Sequence, residues 1–369
     1  MTNAVVLAQS AGVNLTNRNR IINGDMRIDQ RNAGAEVNPA VTSTYYLDRW
    51  LVGSSIASKF KIGQNAGSVT PPEGFVNYLG CTSLSAYTVG AGESFNVQQR
   101  IEGFNIADLG WGTASAKTVT LSFQVYSSLT GTFGGSLRNN GGARSYPFSY
   151  SVSVANTWSQ ISITIAGDTS GTWLTTSGIG MYVTFSLGTG ANFSGTANTW
   201  ATANYIQPTG SVSVVGTSGA TFYITGVQLE AGSVATPFEY VDYGRLLQMC
   251  QRYFEKSHPS YIAVGTASGD NALTVGSESS DSPSGTGYIL GRRAWKIEKR
   301  ATPTVTLYDA TGTSGVVSVE IYGVSGNNGN TPFISSVGAS SALLGRSAVG
   351  GTRSTANVCS FHYTASSEL

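Results

Sequence analysis

The sequence predicts an all-β protein in which an antiparallel jelly-roll sandwich is followed by one short connecting helix and a second, smaller β domain. Three observations predict this class. Forty-six glycines, with abundant Ser and Thr, indicate many turns and β-branched strands. Short segments alternate between apolar and polar residues, as half-buried strands do. Helical periodicity is absent over roughly two hundred residues, which argues against a strand-turn-helix enzyme fold.

Strand patterns are clearest in residues 21–242, which we expect to form the jelly roll. Alternating or strand-like patterns occupy five segments: 117–126, 158–165, 180–187, 211–215 and 220–229. Turn clusters rich in Gly, Asn and Asp lie between them, at 134–135, 139–142, 167–171 and 188–190. We expect Trp158 to lead its strand on the buried face. Short strands with frequent turns are typical of a sandwich or jelly roll.

Three further segments flank the jelly roll. Residues 1–20 are polar, and they form either a frayed terminus or an arm that orders on a partner. Residues 243–258 carry a helical pattern, which the His-Pro pair at 258–259 is expected to end. Strand patterns resume in 259–369, a second β domain of about a hundred residues, which is enough for one core.

The helical pattern carries a broad apolar stripe that permits two interpretations. The helix either packs on its own domain or forms a short seam between identical chains. In the second case Leu247, Cys250 and Phe254 repeat at i, i+3 and i+7. The candidate seam residues are Leu246, Leu247, Cys250, Tyr253 and Phe254.

Charge and hydropathy argue against several classes of function. Twenty-one Lys and Arg residues against twenty Asp and Glu leave a formal charge of +1, so a large basic field for nucleic acid is absent. No stretch approaches the ~18 apolar residues of a membrane-spanning helix. The first residues lack the basic segment of a secretory signal peptide. We therefore expect neither a nucleic-acid partner nor membrane insertion.

Metal and cofactor chemistry finds little support in the sequence. Two histidines and three well-separated cysteines, Cys81, Cys250 and Cys359, cannot alone supply a Cys/His zinc site or a disulfide framework. A calcium site with oxygen ligands stays open. We therefore assign no metal ligand and expect no cofactor.

Catalytic motifs are also missing. The nucleophile elbow, the P-loop and the dinucleotide fingerprint do not occur, and His258 and His362 have no Ser or Cys partner that the sequence identifies. A glycosidase needs two carboxylates about 5 to 9 Å apart. The candidates before residue 242 are few: Asp25, Asp29, Asp48, Glu93, Glu102, Asp108 and Asp168. We expect no enzyme activity and assign no catalytic residue.

Aromatic side chains favour sugar binding. Six tryptophans and eighteen tyrosines supply flat faces that can stack on sugar rings, although Trp is usually well buried. Trp173 and Trp200, in polar turn regions, are the better candidates for exposure. Gln98 and Arg100, on one strand, either hydrogen-bond sugar hydroxyls or form a solvated strand face. The candidate glycan-binding residues are Trp173, Trp200, Tyr205, Gln98, Arg100 and Trp111.

The densest positive charge surrounds Trp295 in residues 292–300. This segment either contacts an anionic polysaccharide or is an edge strand whose charges prevent aggregation. The second interpretation is favoured because such protection is common in β proteins.

Several segments together resemble one family. Residues 19–31, followed by 46–50, are similar to the opening of many bacteriophage and prophage tail-fibre or receptor-binding proteins. Residues 224–239 resemble the end of the same module, and a helix with the core Leu-Leu-x-x-Cys-Gln-Arg-Tyr normally follows it. Residues 300–306 and 361–369 resemble the C-terminal domain of these fibres.

The resemblance implies a jelly roll similar to carbohydrate-binding modules of the family 4/9 type, a virion location and a homotrimer. Related modules place a structural Ca²⁺ near an Asn-Gly-Asp opening and an Asp in the closing strand. Asn23, Gly24 and Asp25 are present, but Thr225 and Gly226 stand where the closing Asp is expected. This departure counts against calcium.

Together these observations predict a phage virion fibre or spike protein that attaches to host-surface glycan by non-covalent binding. The expected partners are identical chains in a homotrimer, other virion proteins bound through residues 1–20, and host polysaccharide. The chain is expected to be made in the host cytoplasm and to act outside the cell on the virion. The alternatives are a purely structural capsid or tail decoration protein and a polysaccharide depolymerase.

Overall fold

The computed structural model describes residues 17–41, 43–268, 272–276, 289–321, 324–346 and 357–369. In these residues strands dominate, most sheets are antiparallel and a single short α-helix is present, which confirms the predicted fold class. The chain divides into two units. The first runs to Arg27, resumes over Gly34–Asp242 and includes Leu369, whereas the second comprises Ile28–Ala33 and Tyr243–Glu368.

The first unit is built on two antiparallel sheets. Its strands are Ser43–Leu47 (β1), Trp50–Ser54 (β2), Phe60–Gln64 (β3), Leu79–Ser83 (β4), Ser94–Glu102 (β5), Val119–Ser127 (β6), Gly131–Arg138 (β7), Ser145–Val152 (β8), Ser159–Ile165 (β9), Ile179–Thr189 (β10), Ser194–Gly195 (β11), Gln207–Pro208 (β12) and Thr221–Ala231 (β13). One sheet has the order β1-β2-β5-β10-β7-β8, and the other has the order β3-β4-β13-β6-β9. Strands β11 and β12 form a short parallel pair. Short 3₁₀ turns occupy Gly103–Asn105, Ala107–Leu109 and Ala191–Phe193.

Both sheets contribute to one apolar core. Val119, Leu121, Phe123 and Val125 of β6, predicted to share a face, are all fully buried. Phe123 packs edge-to-face on Phe185 of β10, with ring centroids 5.0 Å apart. Full burial of such a side chain contributes ~1.5–3 kcal/mol. The two-residue period therefore decides which side of each strand is core and which side is available for a ligand.

Trp158 is not on the core face, contrary to expectation. Side chains alternate across a strand, so Trp158 shares its side with Gln160, whereas Ile161 has the opposite parity. The indole is half-buried and packs against Tyr78 and Tyr126, and its Nε1–H donates to the Thr70 carbonyl at 2.8 Å. It therefore belongs to the outer face of the five-stranded sheet.

The described end of the predicted N-terminal arm is bound to the first unit. The backbone N–H groups of Asn17 and Asn19 donate to the two Glu239 carboxylate oxygens at 2.7 and 2.8 Å. The N–H of Arg20 donates to the Leu229 carbonyl at 2.8 Å. These contacts place residues 17–20 on the jelly roll, and residues 1–16 lie outside the described residues.

The Asn-Gly-Asp segment, residues 23–25, connects the opening of the first unit to strand β13. The carbonyl of Asn23 accepts a hydrogen bond from the Trp50 indole at 2.9 Å, and the Gly24 carbonyl accepts one from the Val227 N–H at 2.9 Å. A Cβ on Gly24 would lie 2.1 Å from the Val227 carbonyl oxygen, closer than atoms can approach. Only glycine fits this contact, which ties the opening segment to β13.

The helix, Tyr243–Gln251 (α1), ends earlier than the predicted boundary at residue 258. The chain then enters a strand, Phe254–Lys256 (β14), whose residues pair with 364–366. The ladder of backbone hydrogen bonds with a distant strand outweighs the local helical pattern. The His-Pro pair is therefore not the helix stop.

The helix ends too early for the predicted seam to form. The five seam residues do not lie on one helix, so that prediction is wrong. Tyr253 and Phe254 lie beyond α1, and Phe254 is on β14. Leu246, Cys250, Tyr253 and Phe254 are all buried within one chain, while Leu247 is half-buried. The helix packs on its own unit, the first of the two interpretations.

Residues 28–33 belong to the second unit, which departs from the expected range 21–242. The Gln30 side chain donates to the Phe254 carbonyl at 2.9 Å, and the guanidinium of Arg31 lies 3.8 Å from the Phe254 ring centroid. Arg31 also forms a 2.8 Å ion pair with Glu368. These contacts are non-local in sequence, so composition and turn signals did not reveal them.

The remaining strands build the second unit. They are Leu273–Gly276 (β15), Ile289–Ala294 (β16), Thr304–Tyr308 (β17), Val317–Ile321 (β18), Val324–Asn330 (β19), Pro332–Ser335 (β20), Ser341–Arg346 (β21) and Asn357–Ser366 (β22). One sheet follows the order β14-β22-β18-β19, with β15 and β17 also paired to β22, and a three-stranded sheet has the order β16-β21-β20. The long strand β22 therefore organises the unit.

Buried polar groups lie beside the core of this unit. Glu255 forms a 2.6 Å ion pair with Lys299 and accepts a 2.6 Å hydrogen bond from the Tyr363 hydroxyl. Nearby, the rings of His258 and His362 stack with centroids 3.6 Å apart. Both imidazoles are almost fully buried, so a charge on either is costly.

We predict that Gly24→Ala destabilises the first unit by ~1–3 kcal/mol, because its Cβ meets backbone that cannot move aside. Chemical denaturation measures the change. The matched control is Gly92→Ala, whose Cβ would make only an ordinary contact at 3.9 Å. Equal stability of the two variants would show that the close contact between Gly24 and Val227 does not stabilise the first unit.

We also predict that the second unit loses stability as pH falls from 6.5 towards 4. Burial, reinforced by the neighbouring His362 and Lys256, lowers the pKa of His258 from 6.5 to about 4. The unfolded chain therefore takes up a proton in a range where the folded chain does not, and unfolding is favoured. Hydrogen exchange of strand β22 across this range tests it. His258→Phe, which keeps a ring in the stack, should flatten the dependence, and an unchanged slope would refute this role.

Candidate functional site

The outer face of the six-stranded sheet carries an ordered array of polar side chains. The strand register aligns Asn96 with Ser186 in one row and Gln98, Thr184 and Ser136 in the next. A third row aligns Arg100, Tyr182 and Arg138. We name this array the polar face and define it by Asn96, Gln98, Arg100, Ser136, Arg138, Tyr182, Thr184 and Ser186.

Strand alternation produces this face directly. In β10, Val183 and Phe185 point into the core, so Tyr182 and Thr184 must point outward. The same parity in β5 turns Gln98 outward between core residues. Three strands thus place their polar positions side by side on a rigid support.

Arg138 is the centre of the hydrogen-bond network. Its Nη1 donates to the Asn204 amide oxygen at 2.7 Å. Its Nη2 donates to the Gln98 amide oxygen at 3.2 Å and to the Thr184 hydroxyl oxygen at 3.3 Å. These bonds hold the guanidinium against the sheet and orient Gln98.

Several polar atoms of this face have no hydrogen-bond partner within the described protein. They are Asn96 Oδ1, Ser136 Oγ and the Nε atoms of Arg100 and Arg138. Asn96, Ser136 and Arg138 are only 4%, 0% and 8% exposed. An unsatisfied buried group costs ~1–3 kcal/mol.

An aromatic ring lies in the same row. Tyr182 is half-buried, and the guanidinium carbons of Arg100 and Arg138 lie 5.5 and 5.0 Å from its ring centroid. Arg100 Nη1 also donates to the main-chain oxygen of Leu369. The ring and its two cations form a flat platform beside the unsatisfied atoms.

Residues 194–208 border the polar face. The Ser186 hydroxyl donates to the Gln207 side chain at 2.6 Å, and the exposed Asn204 contacts Arg138. The ring of Tyr205 packs against Gly195, where a Cβ would lie 2.2 Å from the ring. Tyr205 is therefore a border residue, half-buried and held by packing.

The structure separates the predicted glycan-binding residues into two groups. Gln98 and Arg100 lie on the polar face and Tyr205 lies at its border. Trp111, Trp173 and Trp200 instead pack on one another edge-to-face, with centroid distances of 4.7, 5.4 and 5.7 Å.

The expected exposure of Trp173 and Trp200 is wrong. Trp111 and Trp173 are each 6% exposed, and Trp200 is half-buried against the same core. All three indole N–H groups donate to backbone carbonyls of the jelly roll, those of Lys117, Ser170 and Ala166. Three loops, distant in sequence, together bury the rings, and proximity to a turn does not predict this.

Sequence reasoning missed six members of the polar face: Asn96, Ser136, Arg138, Tyr182, Thr184 and Ser186. The signal that the sequence did contain was the alternation of side chains between the two faces of a strand. Asn96 has the parity of Gln98 and Arg100, and Tyr182 and Thr184 are the outward positions of a strand already recognised. Strand order, which the sequence did not reveal, was needed to bring β5, β10 and β7 together.

The candidate carboxylates are engaged elsewhere. Asp25 forms a 2.5 Å ion pair with Arg27, and burial is the main cause that raises its pKa. Asp168 pairs with Arg144 through two contacts of 2.6 and 2.7 Å, and Asp108 pairs with Arg20. Among the described residues no three His, Cys, Asp or Glu side chains cluster as metal ligands.

Other sequence candidates have structural roles. Trp295, within the basic segment, is buried, and strand β16 lies at an edge of its sheet with Arg292 and Arg293 exposed. His362 Nδ1 lies 3.0 Å from the Ser257 hydroxyl and Nε2 lies 2.9 Å from the Ser268 carbonyl. Because a carbonyl only accepts, Nε2 carries the proton and Ser257 donates to Nδ1. Within the described helix no span is long and apolar enough to cross a membrane.

The chain matches no protein-family model and no curated protein. Solved structures similar to it include a family 11 carbohydrate-binding module from Clostridium thermocellum in complex with a β-1,3-1,4-mixed-linked tetrasaccharide (12% identity, 55% of this chain, 98% of that chain, TM-score 0.27). Another is the N-terminal cellulose-binding domain of a Cellulomonas fimi β-1,4-glucanase (14% identity, 43% and 80%, TM-score 0.25). A third is TmCBM61 in complex with β-1,4-galactotriose (10% identity, 50% and 88%, TM-score 0.26).

We predict that Trp173→Ala destabilises the first unit by ~3–5 kcal/mol, as expected when a buried Trp is truncated. The matched control is Trp158→Ala, which should cost less because that indole is half-buried on the outer face. Chemical denaturation of both variants measures the difference. A Trp173→Ala protein as stable as the wild type would show that the tryptophan cluster is not part of the core.

Proposed function

We propose that the first unit binds a carbohydrate non-covalently on the polar face. The observation that carries this proposal is the row in which the half-buried ring of Tyr182 lies between the guanidinium groups of Arg100 and Arg138. Sugar hydroxyls both donate and accept hydrogen bonds, and the C–H face of a sugar ring packs on an aromatic ring. The polar face offers both kinds of contact on a rigid sheet.

The side chains of the polar face favour binding over hydrolysis. They supply amides, hydroxyls, a phenol and guanidinium groups, and none of the eight is a carboxylate. Glycoside hydrolysis generally needs two carboxylates about 5 to 9 Å apart. A depolymerase would require a different part of the molecule.

We further propose that the chain acts as a virion fibre or spike protein that attaches a phage to host-surface glycan. The support is the resemblance of the segments at both ends of each domain to tail-fibre proteins. A homotrimer, docking of the N-terminal segment on other virion proteins and an extracellular site of action belong to this proposal. Several identical weak sites on one particle would supply useful avidity.

We predict that Tyr182→Ala weakens glycan binding about tenfold, because the aromatic contact is lost. Binding is measured by calorimetry and affinity electrophoresis on a panel of neutral, amino and acidic polysaccharides, with reducing ends assayed in parallel. The matched control is Tyr240→Ala, which removes a 54% exposed tyrosine that packs with Phe75 and Phe238, away from the polar face.

Three results would overturn parts of the proposal. Equal binding by Tyr182→Ala and the wild type would place the glycan site elsewhere. Absence of binding to the whole panel would favour a structural decoration protein. Release of reducing ends would establish a depolymerase.

A further inference from the structure

Arg138 is a buried cation whose partners are all neutral. Its side chain is 8% exposed and is hydrogen-bonded to two amides and one hydroxyl, those of Asn204, Gln98 and Thr184. Burial lowers the pKa of Arg138 to about 10, so the guanidinium still carries its charge at neutral pH. A buried charge without a counter-charge is costly and uncommon.

Three other arginines of the first unit each have a carboxylate partner. Arg144 pairs with Asp168, Arg27 pairs with Asp25 and Arg20 pairs with Asp108, at 2.5 to 2.7 Å. The hydrogen bonds of Arg138 to the described residues include no carboxylate.

A second cation, whose Nη1 donates to the main-chain oxygen of Leu369, lies beside Arg138. Arg100 stands in the same row, and the two guanidinium groups flank the ring of Tyr182 at 5.5 and 5.0 Å. The charge of Arg100 opposes that of Arg138 and further lowers the pKa of Arg138.

These observations point to the chemical group that the site lacks. A carboxylate accepts hydrogen bonds from guanidinium N–H groups, and such charged bonds are roughly twice as strong as neutral ones. A carboxylate bound between the two guanidinium groups would offset both charges.

We propose that the polar face selects an acidic glycan and binds the carboxylate of a uronic-acid-type sugar between Arg100 and Arg138. This inference rests on the proposed glycan binding and adds the substrate class. The sugar ring packs near Tyr182.

The test uses pairs of polymers that differ only in the acid group. Polygalacturonate, alginate and hyaluronate are each compared with their carboxyl-reduced forms, in which –COO⁻ becomes –CH₂OH while the linkages stay the same. Calorimetry with the full-length wild-type protein should show at least one acid form bound about tenfold more tightly than its reduced form. The preference should weaken at high salt, since screening reduces charge attraction.

Variants then locate the preference. Arg138→Gln and, separately, the half-buried Arg100→Gln should each lose most of the preference for the acid polymer, measured as the ratio of the affinities of one variant for the acid and the reduced form. The control is Arg292→Gln, which removes one exposed positive charge from the second unit. Thermal unfolding confirms that each variant is folded, and Arg100→Gln keeps the test valid if Arg138→Gln is unstable.

The outcomes separate this inference from the proposed function. Equal binding of acid and reduced forms would overturn the acidic specificity and leave glycan binding intact. Binding of neither these polymers nor the neutral panel would overturn both. Equal binding of dextran sulfate by wild type and Arg138→Gln, with the same acid preference in both proteins, would show non-specific charge attraction and overturn the assignment to Arg138.

Discussion

The central strand β10 imposes the constraint on which the first unit depends. It pairs with β5 on one side and β7 on the other, and its inward residues, including Val183, Phe185 and Leu187, are fully buried. Because side chains alternate, the same packing turns Tyr182 and Thr184 outward and fixes their spacing. A shift of one residue would reverse the two faces of the strand. The core and the polar face are therefore set by one register.

Because the chain has few charged residues, the positive charge on the polar face is unusual. Only 11% of residues are charged, and several arginines of the first unit are matched by carboxylates within hydrogen-bond distance. In such a chain, an arginine held only by amides and a hydroxyl stands out. The charge of Arg138 lies beside the ring of Tyr182 on the polar face.

Sequence patterns predicted the features that depend on local alternation. The strand 117–126 and its buried face were correct, and so was the predominance of β structure. Trp158 was placed on the wrong face although its parity relative to Gln160 was available. The end of α1 was missed because the pairing of β14 with β22, more than a hundred residues away, decides it.

The site was harder to predict than the fold. Gln98 and Arg100 were identified as possible hydroxyl ligands from one strand, but Arg138 and Tyr182 join them only through the order β5-β10-β7. The tryptophans failed as exposed candidates for a related reason. Trp111, Trp173 and Trp200 come from three separate loops, and their mutual contacts bury them. Both errors arise from tertiary packing, which residue type and turn proximity do not encode.

A binding site on the face of a sheet limits how tightly one copy of the chain can bind a glycan. The polar face offers a few hydrogen bonds, one aromatic ring and two cations, and ordering a flexible polymer offsets part of their free energy. A single copy would therefore bind modestly, and the proposed attachment role requires several copies presented together. The predicted seam cannot supply that assembly, because Leu246, Cys250, Tyr253 and Phe254 are already buried within one chain. If the chain is a trimer, the contacts between its copies must involve other surfaces.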